Sequence, residues 1–443
     1  AADVNRVAQA YIKPDNRTVG LFFPTDNPDR ATIPEVPDFE AMLDGFTGGE
    51  AIAQGEEFDP SPSNIEARTT KYTLSNGMQV ALLPKQTRGD VAIVRLRLFF
   101  GDEESLLGRG AAGDFAGSML MRGSEDYSRQ EIQDELDRLQ ASGSVGGGTT
   151  SGTGQFQTVN ANVAEVIRLV GNLVRKPAFP QSEFDIMKEQ RLSAIEQSRS
   201  EPQPLAQIAL ARHMSQFPGG HPSYTETLDE QAAAGSATTL DDARAFYADF
   251  WGSQNGSVVV VGDFDEAEVR QALEESFGDW TSPHAFTRVA SPFYDAPPET
   301  ITIETPDKAN AIFVAQQNFE LRDTDPDYPA LIMAGYMIGG GILNSRLASR
   351  IRVKDGLSYG VGGGISGHPI DPVGQFTAFA IYAPENAAAL EAAFTEELEL
   401  VLAEGFTEEE LATAQQGWLE GQQLGRAQDS SVAGILASGL YFD

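Results

Sequence analysis

The sequence predicts an α+β protein, and three observations carry that prediction. An Asn76-Gly77 pair between "KYTLS" and "MQVALLP" is the two-residue turn of a β-hairpin. Helix start signals lie between the strand-like runs, without the strict strand–helix alternation of an all-parallel sheet. The chain also resembles itself. "AGSML" from Ala116 returns as "AGYMI" from Ala334, and "GQF" from Gly154 returns at Gly374, each about 220 residues further on.

The elements follow in order. After the hairpin, Val94, Leu96 and Leu98 alternate as on a half-buried strand. Ser128 with Glu131 makes a capping box ahead of Ile132, Leu136 and Leu139, and Gly143 stands where a C-terminal cap is expected. "GQFQTVNA" returns the chain to the sheet. Two helices come next, the second opened by Ser182. "DARAFYADFWGSQNGSVVVVGDF" then reads as a helix leading into a buried strand. A second copy pairs "AIFVAQQNF" from Ala311 with "AIVRLRLFF" from Ala92, "GGG" at Gly362 with "GGG" at Gly146, and "GQFTAFAIY" with the returning strand. Its late helix opens at Thr407 with Glu410. The first residues, "VNRVAQAYIKPDNRTVGLFF", fit the helix–strand ending of such a copy, setting Asn16 against Asn255 and Val19 against Val258. The expected organisation is therefore the tail of a preceding copy (1–23), a Pro- and acid-rich linker (24–67), a first α+β domain (68–281), a short linker (282–298) and a second α+β domain (299–443) that lacks its own ending.

Composition narrows the function classes. Asp and Glu number 65 against 31 Lys and Arg, a formal charge of -34 that repels phosphate backbones, so nucleic acid is not an expected partner. No apolar run is long enough for a membrane span. With no cysteine there is no disulfide, thiol nucleophile or thiolate metal site. The absence of cysteine is compatible with an exported bacterial protein, periplasmic or secreted.

Chemistry-bearing patterns are few. The four histidines, His213, His221, His284 and His368, form neither H-x-x-E-H nor H-E-x-x-H. No G-x-S-x-G elbow appears, and the glycine runs lack phosphate-loop spacing. One constellation remains, "GGGILNSRLASRIRVKDGLSYGVGGG". A helix from about Asn344 carries Arg346, Arg350 and Arg352, and Gly356 turns the chain toward a strand from Tyr359. By residue type alone this is a basic cluster whose arginines have abundant acids to pair with.

That segment closely resembles the G-G-G-x-x-S-R-L…R-x-x-x-G-L-x-Y stretch of the insulinase (pitrilysin) family of zinc metallopeptidases, of inverzincin type, which includes the mitochondrial processing peptidases. "YTLSNGMQVALLP", "FPGGHPSYTETLDEQ", "VVGDFDEAEVRQALEESFGDW" and "GFTEEELATAQ" resemble further family segments, in the family's order. The resemblance implies a clam of two halves, one binding zinc through H-x-x-E-H and a distant Glu, the other zinc-free and contributing an Arg and a Tyr. Arg352 and Tyr359 match that pair. It implies that Tyr359 stabilises the oxyanion and Arg352 binds a substrate carbonyl. Asp114, Phe115, Ala116, Gly117 and Ser118 stand where the zinc motif would be, so no metal is expected at Asp114, Gly117 or Ser118. The expected protein is the non-catalytic C-terminal half of a zinc endopeptidase, inactive alone, with a zinc-bearing half (same chain or separate subunit) and a peptide as partners. The alternative is a scaffold without peptidase activity, like the respiratory-complex core proteins of the same fold.

Overall fold

The computed structural model describes residues 2–13, 17–18, 20, 54–341 and 344–442. The chain divides into two compact units, 1–51 and 52–443. In the first unit, α1 runs Ala2–Tyr11. The strand-like run expected near 19–23 lies almost entirely outside the described residues, as do residues 24–53 of the expected linker. The last part of that linker is ordered: α2 (Pro62–Arg68) starts on Ser61, whose hydroxyl accepts from the Asn64 N–H, and buries Ile65.

The second unit contains two sheets. The first joins β1 (Thr70–Thr73), β2 (Gln79–Pro84), β3 (Val91–Phe99), β4 (Ser142–Gly147), β5 (Ser151–Val159) and β6 (Gly256–Gly262) in the order β1-β2-β6-β3-β5-β4. Gly77 adopts φ 103° at the predicted turn, and β1 pairs antiparallel with β2. Pairing is antiparallel except between β2 and β6, which run parallel. The hairpin signal could not foresee that pair, because β6 arrives only after the whole helical excursion. That excursion comprises α3 (Gly110–Met119), α4 (Arg129–Arg138), α5 (Val163–Arg175), α6 (Gln181–Ser198), α7 (Pro202–His213), α8 (Leu228–Ala237) and α9 (Leu240–Phe250). Helix α10 (Glu266–Phe277) follows β6.

Two expected caps are corrected. Helix α4 has the Ser128/Glu131 capping box, but it is Gln140, at φ 47°, that turns the chain at its end. Gly143 instead sits in β4, where a Cβ would stand 2.2 Å from the Gln155 carbonyl oxygen. Helix α6 opens after Pro180, two residues ahead of the expected Ser182.

Residues 282–310 form neither helix nor strand, yet they are held down. Arg288 donates two 2.6 Å hydrogen bonds to the buried Asp371 carboxylate, which also accepts the Ser291 N–H. The guanidinium keeps Asp371 below the usual carboxylate range. Beyond this stretch lie β7 (Ala311–Phe319), α11 (Tyr328–Gly335), π-helical turns at Tyr336–Gly340 and Ala348–Lys354, β8 (Ser358–Gly367), β9 (Gly374–Tyr382), α12 (Ala387–Glu404), α13 (Glu408–Arg426) and α14 (Asp429–Phe442). The expected helix from Asn344 is thus largely π-helical. The second sheet has the order β7-β9-β8, all antiparallel, the same pattern as β3-β5-β4.

Alternation decides what each face of the first sheet buries. Val80, Leu82, Val94, Leu96, Val258 and Val260 point into a large core with Phe115, Ile167, Val170, Phe246 and Leu273. Ala81, Leu83, Ile93, Val259 and Val261 point the other way, against Val432, Ala433, Leu436 and Ala437 of α14. Packing is reciprocal: α14, from beyond the second sheet, covers the first, while α7 lies against β7 of the second.

Candidate active-site remnant and the Arg352/Tyr359 pair

The arginine cluster separates into two kinds of residue. Arg346 donates to Glu410 from Nε (2.7 Å) and Nη2 (3.0 Å), and to the Gly405 carbonyl. Glu410 also accepts from the Thr407 backbone as the N3 member of its capping box, and these contacts hold its pKa down at about 2. Arg350 bonds Asp355 and Glu396. These two follow the surface-pairing expectation. Arg352 does not: among the described residues it forms no ion pair, and its guanidinium lies 4.8 Å from the Tyr359 ring centroid.

Local structure produces that contact. The π turn Ala348–Lys354 buries Ile351 and presents Arg352 on its outer side. Gly356, at φ 64°, reverses the chain, and β8 begins at Ser358, whose hydroxyl donates to the Ile381 carbonyl and fixes the strand start. A bulge between Ser358 and Gly360 leaves Tyr359 out of the pairing register, 85 % exposed. A guanidinium and a phenol held side by side at an edge strand can together donate to a peptide carbonyl or a developing oxyanion.

The zinc-motif position has a different character. Asp114 accepts from Arg191 of α6 at 2.8 Å, and Ser118 donates from Oγ to the Asp114 carbonyl. Gly117 presses on β4: a Cβ there would stand 2.2 Å from the Gly147 carbonyl oxygen. A glutamate at this position would require helix and strand to separate. The acid is already paired, the glycine has no room for a ligand and the hydroxyl is committed to the backbone, so these residues do not fit a zinc ion. Among the described residues no three His, Cys, Asp or Glu side chains cluster as metal ligands.

The cavity beside this helix, about 990 Å³, is polar, with Arg109, Asp114, Arg191, Glu226 and Asp249 in its walls. Burial pushes the Glu226 carboxyl up. Sequence reading missed both Arg191 and Glu226, because their relation to Asp114 is made by the fold and follows no local spacing.

The histidines stand apart in structural settings. His213 bonds the Pro297 carbonyl, and buried His221 accepts the Ser223 N–H and stacks on Phe217. His284 stacks on Phe250, and His368 accepts from the backbone of Asp371.

Comparison with known proteins agrees with these features. Residues 237–417 match the model of the peptidase M16 inactive domain. The non-peptidase homolog YmxG of Helicobacter pylori is 25% identical over 202 residues, 44% of each chain, so the match spans less than half of that relative's length. The fold is similar to the crystal structure of a peptidase M16 inactive domain from Pseudomonas fluorescens, with TM-score 0.72 and 21% identity over 84% of this chain and 87% of that one. It is also similar to the periplasmic protease PqqL of Escherichia coli, with TM-score 0.63 and 15% identity; 99% of this chain is covered but only 46% of PqqL. No helix among the described residues is long and apolar enough to cross a membrane. The resemblance drawn from the motifs is borne out: residues 237–417 match the peptidase M16 inactive domain, and the α+β fold is similar to those of M16-like structures.

Proposed function

We propose that this chain is the zinc-free half of a two-half metalloendopeptidase, in which the complementary half, on the same polypeptide or a separate subunit, holds the zinc. The observation that carries this reading is the Arg352/Tyr359 pair, set out at a strand edge while its neighbours Arg346 and Arg350 are taken up by acids. Arg352 binds a backbone carbonyl of the peptide and fixes its register. Tyr359 donates its hydroxyl to the oxyanion that forms at the cleaved bond. The two sheets, with the common pattern β3-β5-β4 and β7-β9-β8, are copies of one unit duplicated in tandem. A periplasmic setting is part of this reading: the fold is similar to that of the periplasmic protease PqqL, and the lack of cysteine is compatible with export.

The test is to combine this chain with its zinc-bearing half and follow peptide hydrolysis. Tyr359→Phe is expected to lower kcat about 100-fold, as for loss of one oxyanion donor. Arg352→Ala is expected to lower kcat/KM while the fold is unchanged. The name of the Helicobacter relative favours a second reading, a scaffold without peptidase activity. No hydrolysis on combining the halves decides for the scaffold, and hydrolysis indifferent to both substitutions removes the Arg352/Tyr359 mechanism.

A further inference from the structure

Two adjacent rungs of the first sheet carry positive charge that no neighbouring acid neutralises. Arg95 stands opposite Gln155 of β5, which stands opposite Ser144 of β4; Arg97 stands opposite Thr153, which stands opposite Gly146. Residues two apart on a strand share a face, so both guanidiniums lie on the same side of the sheet. The chain has 65 Asp and Glu against 31 Lys and Arg, and Arg346 and Arg350 are taken up by acids. Among the described residues neither Arg95 nor Arg97 forms an ion pair.

Each is held in place without being neutralised. Arg95 donates from Nη1 to the Gln155 side-chain oxygen at 2.7 Å. Arg97 lies 5.4 Å and 5.7 Å from the ring centroids of Phe99 and Tyr441 and reaches Ser438 Oγ at 3.4 Å. Burial, and then the charge of Arg95, push the Arg97 guanidinium below its ordinary pKa. An anion placed beside the pair relieves that repulsion.

The space in front of Arg95 has matching chemistry. A cleft of about 540 Å³ is lined by Arg95, Ser144, Thr153 and Gln155, together with Gly143 and Gly146, and no carboxylate is in its walls. Among the described residues, Gln155 Nε2 and the Ser144 and Thr153 hydroxyls have no hydrogen-bond partner. The walls thus offer guanidinium, amide and hydroxyl donors with no acid to compete for them. The sheet ends at β4, and its two glycines carry no side chain to hold an extended chain away.

We propose that Arg95, backed by the field of Arg97, binds the carboxylate of an extended peptide in this cleft, supplied by an acidic side chain or by the peptide's C-terminus. Arg95 makes the charge-assisted bond, and Gln155 Nε2 and the Ser144 hydroxyl donate to the carboxylate beside it. The site lies on the first sheet, away in sequence from Arg352 and Tyr359, and its occupancy is read as binding without hydrolysis. Its failure is therefore separate from failure of the protease reading.

The probes are labelled hexapeptides of threonine and valine, added to the full chain and followed by fluorescence anisotropy. One ends in a free carboxylate, one is amidated, and one is amidated with a central aspartate. A carboxylate-bearing peptide is expected to bind saturably, at least about tenfold more tightly than the plain amide, and whichever does so identifies the source of the carboxylate. Arg95→Gln should remove that advantage, added salt should weaken it, and amide exchange should slow at 142–147 and 151–157. If the variant does not fold, the peptide series and the exchange map decide. No binding, equal binding of all three peptides, an advantage that survives Arg95→Gln, protection only elsewhere, or displacement by inorganic phosphate but not by acetate would each overturn the proposal.

Discussion

Strands β3 and β7 share a pairing pattern and an Ala-Ile pair near their starts, yet they live in different surroundings. In β3, Val94, Leu96 and Leu98 are at most 3 % exposed, because β5 and β6 flank the strand and helices cover both faces. Not one residue of β7 is fully buried. The difference teaches that burial here is set by what lies on either side of a strand more than by its own composition. β3 even carries two arginines, Arg95 and Arg97, on the face where β7 places Val314 and Gln316.

The comparison can be broken most forcefully at the strand beside β3. Val260→Asp places a carboxylate in the fully buried face of β6 and is expected to cost more than about 4 kcal/mol, whereas Val314→Asp on β7 should cost about 1 kcal/mol. Equal losses in urea titrations would show that β7 is as enclosed as β3. The helices that lean on the outer strands should instead behave alike. A Cβ at Gly117 meets Gly147 and a Cβ at Gly335 meets the Ile365 nitrogen at 2.6 Å, so Gly117→Ala and Gly335→Ala are each expected to lose about 3 kcal/mol; a loss at only one would end the equivalence of α3 and α11.

Acid should separate the regions next. Glu410 titrates at about 2 in the folded chain, below the unfolded glutamate value of about 4.3. Its stabilising contribution is therefore complete above that unfolded value and is lost as pH falls toward about 2. Amide exchange in α13 is expected to rise in that window before exchange in β3 does, and Glu410→Gln should flatten the response. The smallest effect is a gain: Gly421 of α13 has open space around its Cα, and Gly421→Ala should stabilise the chain by up to about 1 kcal/mol in thermal melts.

Much of this was legible in the sequence because its signals are local. The Asn76-Gly77 turn and the Ser128/Glu131 and Thr407/Glu410 capping boxes each occupy a few residues and specify their own geometry. The resemblance to a family segment, and not the residue types alone, marked Arg352 and Tyr359 as a pair, and only the bulge at Ser358–Gly360 shows how they meet. The parallel β2–β6 pair, the Arg191–Asp114 contact and the close approach of Gly117 to Gly147 join residues far apart in the chain, and no short pattern encodes them. Gln140 taking a turn expected of a glycine shows a tertiary setting overriding local preference.

The cover of the first sheet by α14 also sets a timetable. Ribosomal synthesis delivers β1 to β6 long before residues 429–442, and Arg97 reaches Ser438 across a separation of 341 residues. Until then the face bearing Leu83, Ile93 and Val259 has no lid, so a nascent chain carries a greasy surface from the completion of β6 at Gly262 until Asp429–Phe442 is made. A nascent chain stopped before residue 429 is therefore expected to aggregate more readily than one that includes α14.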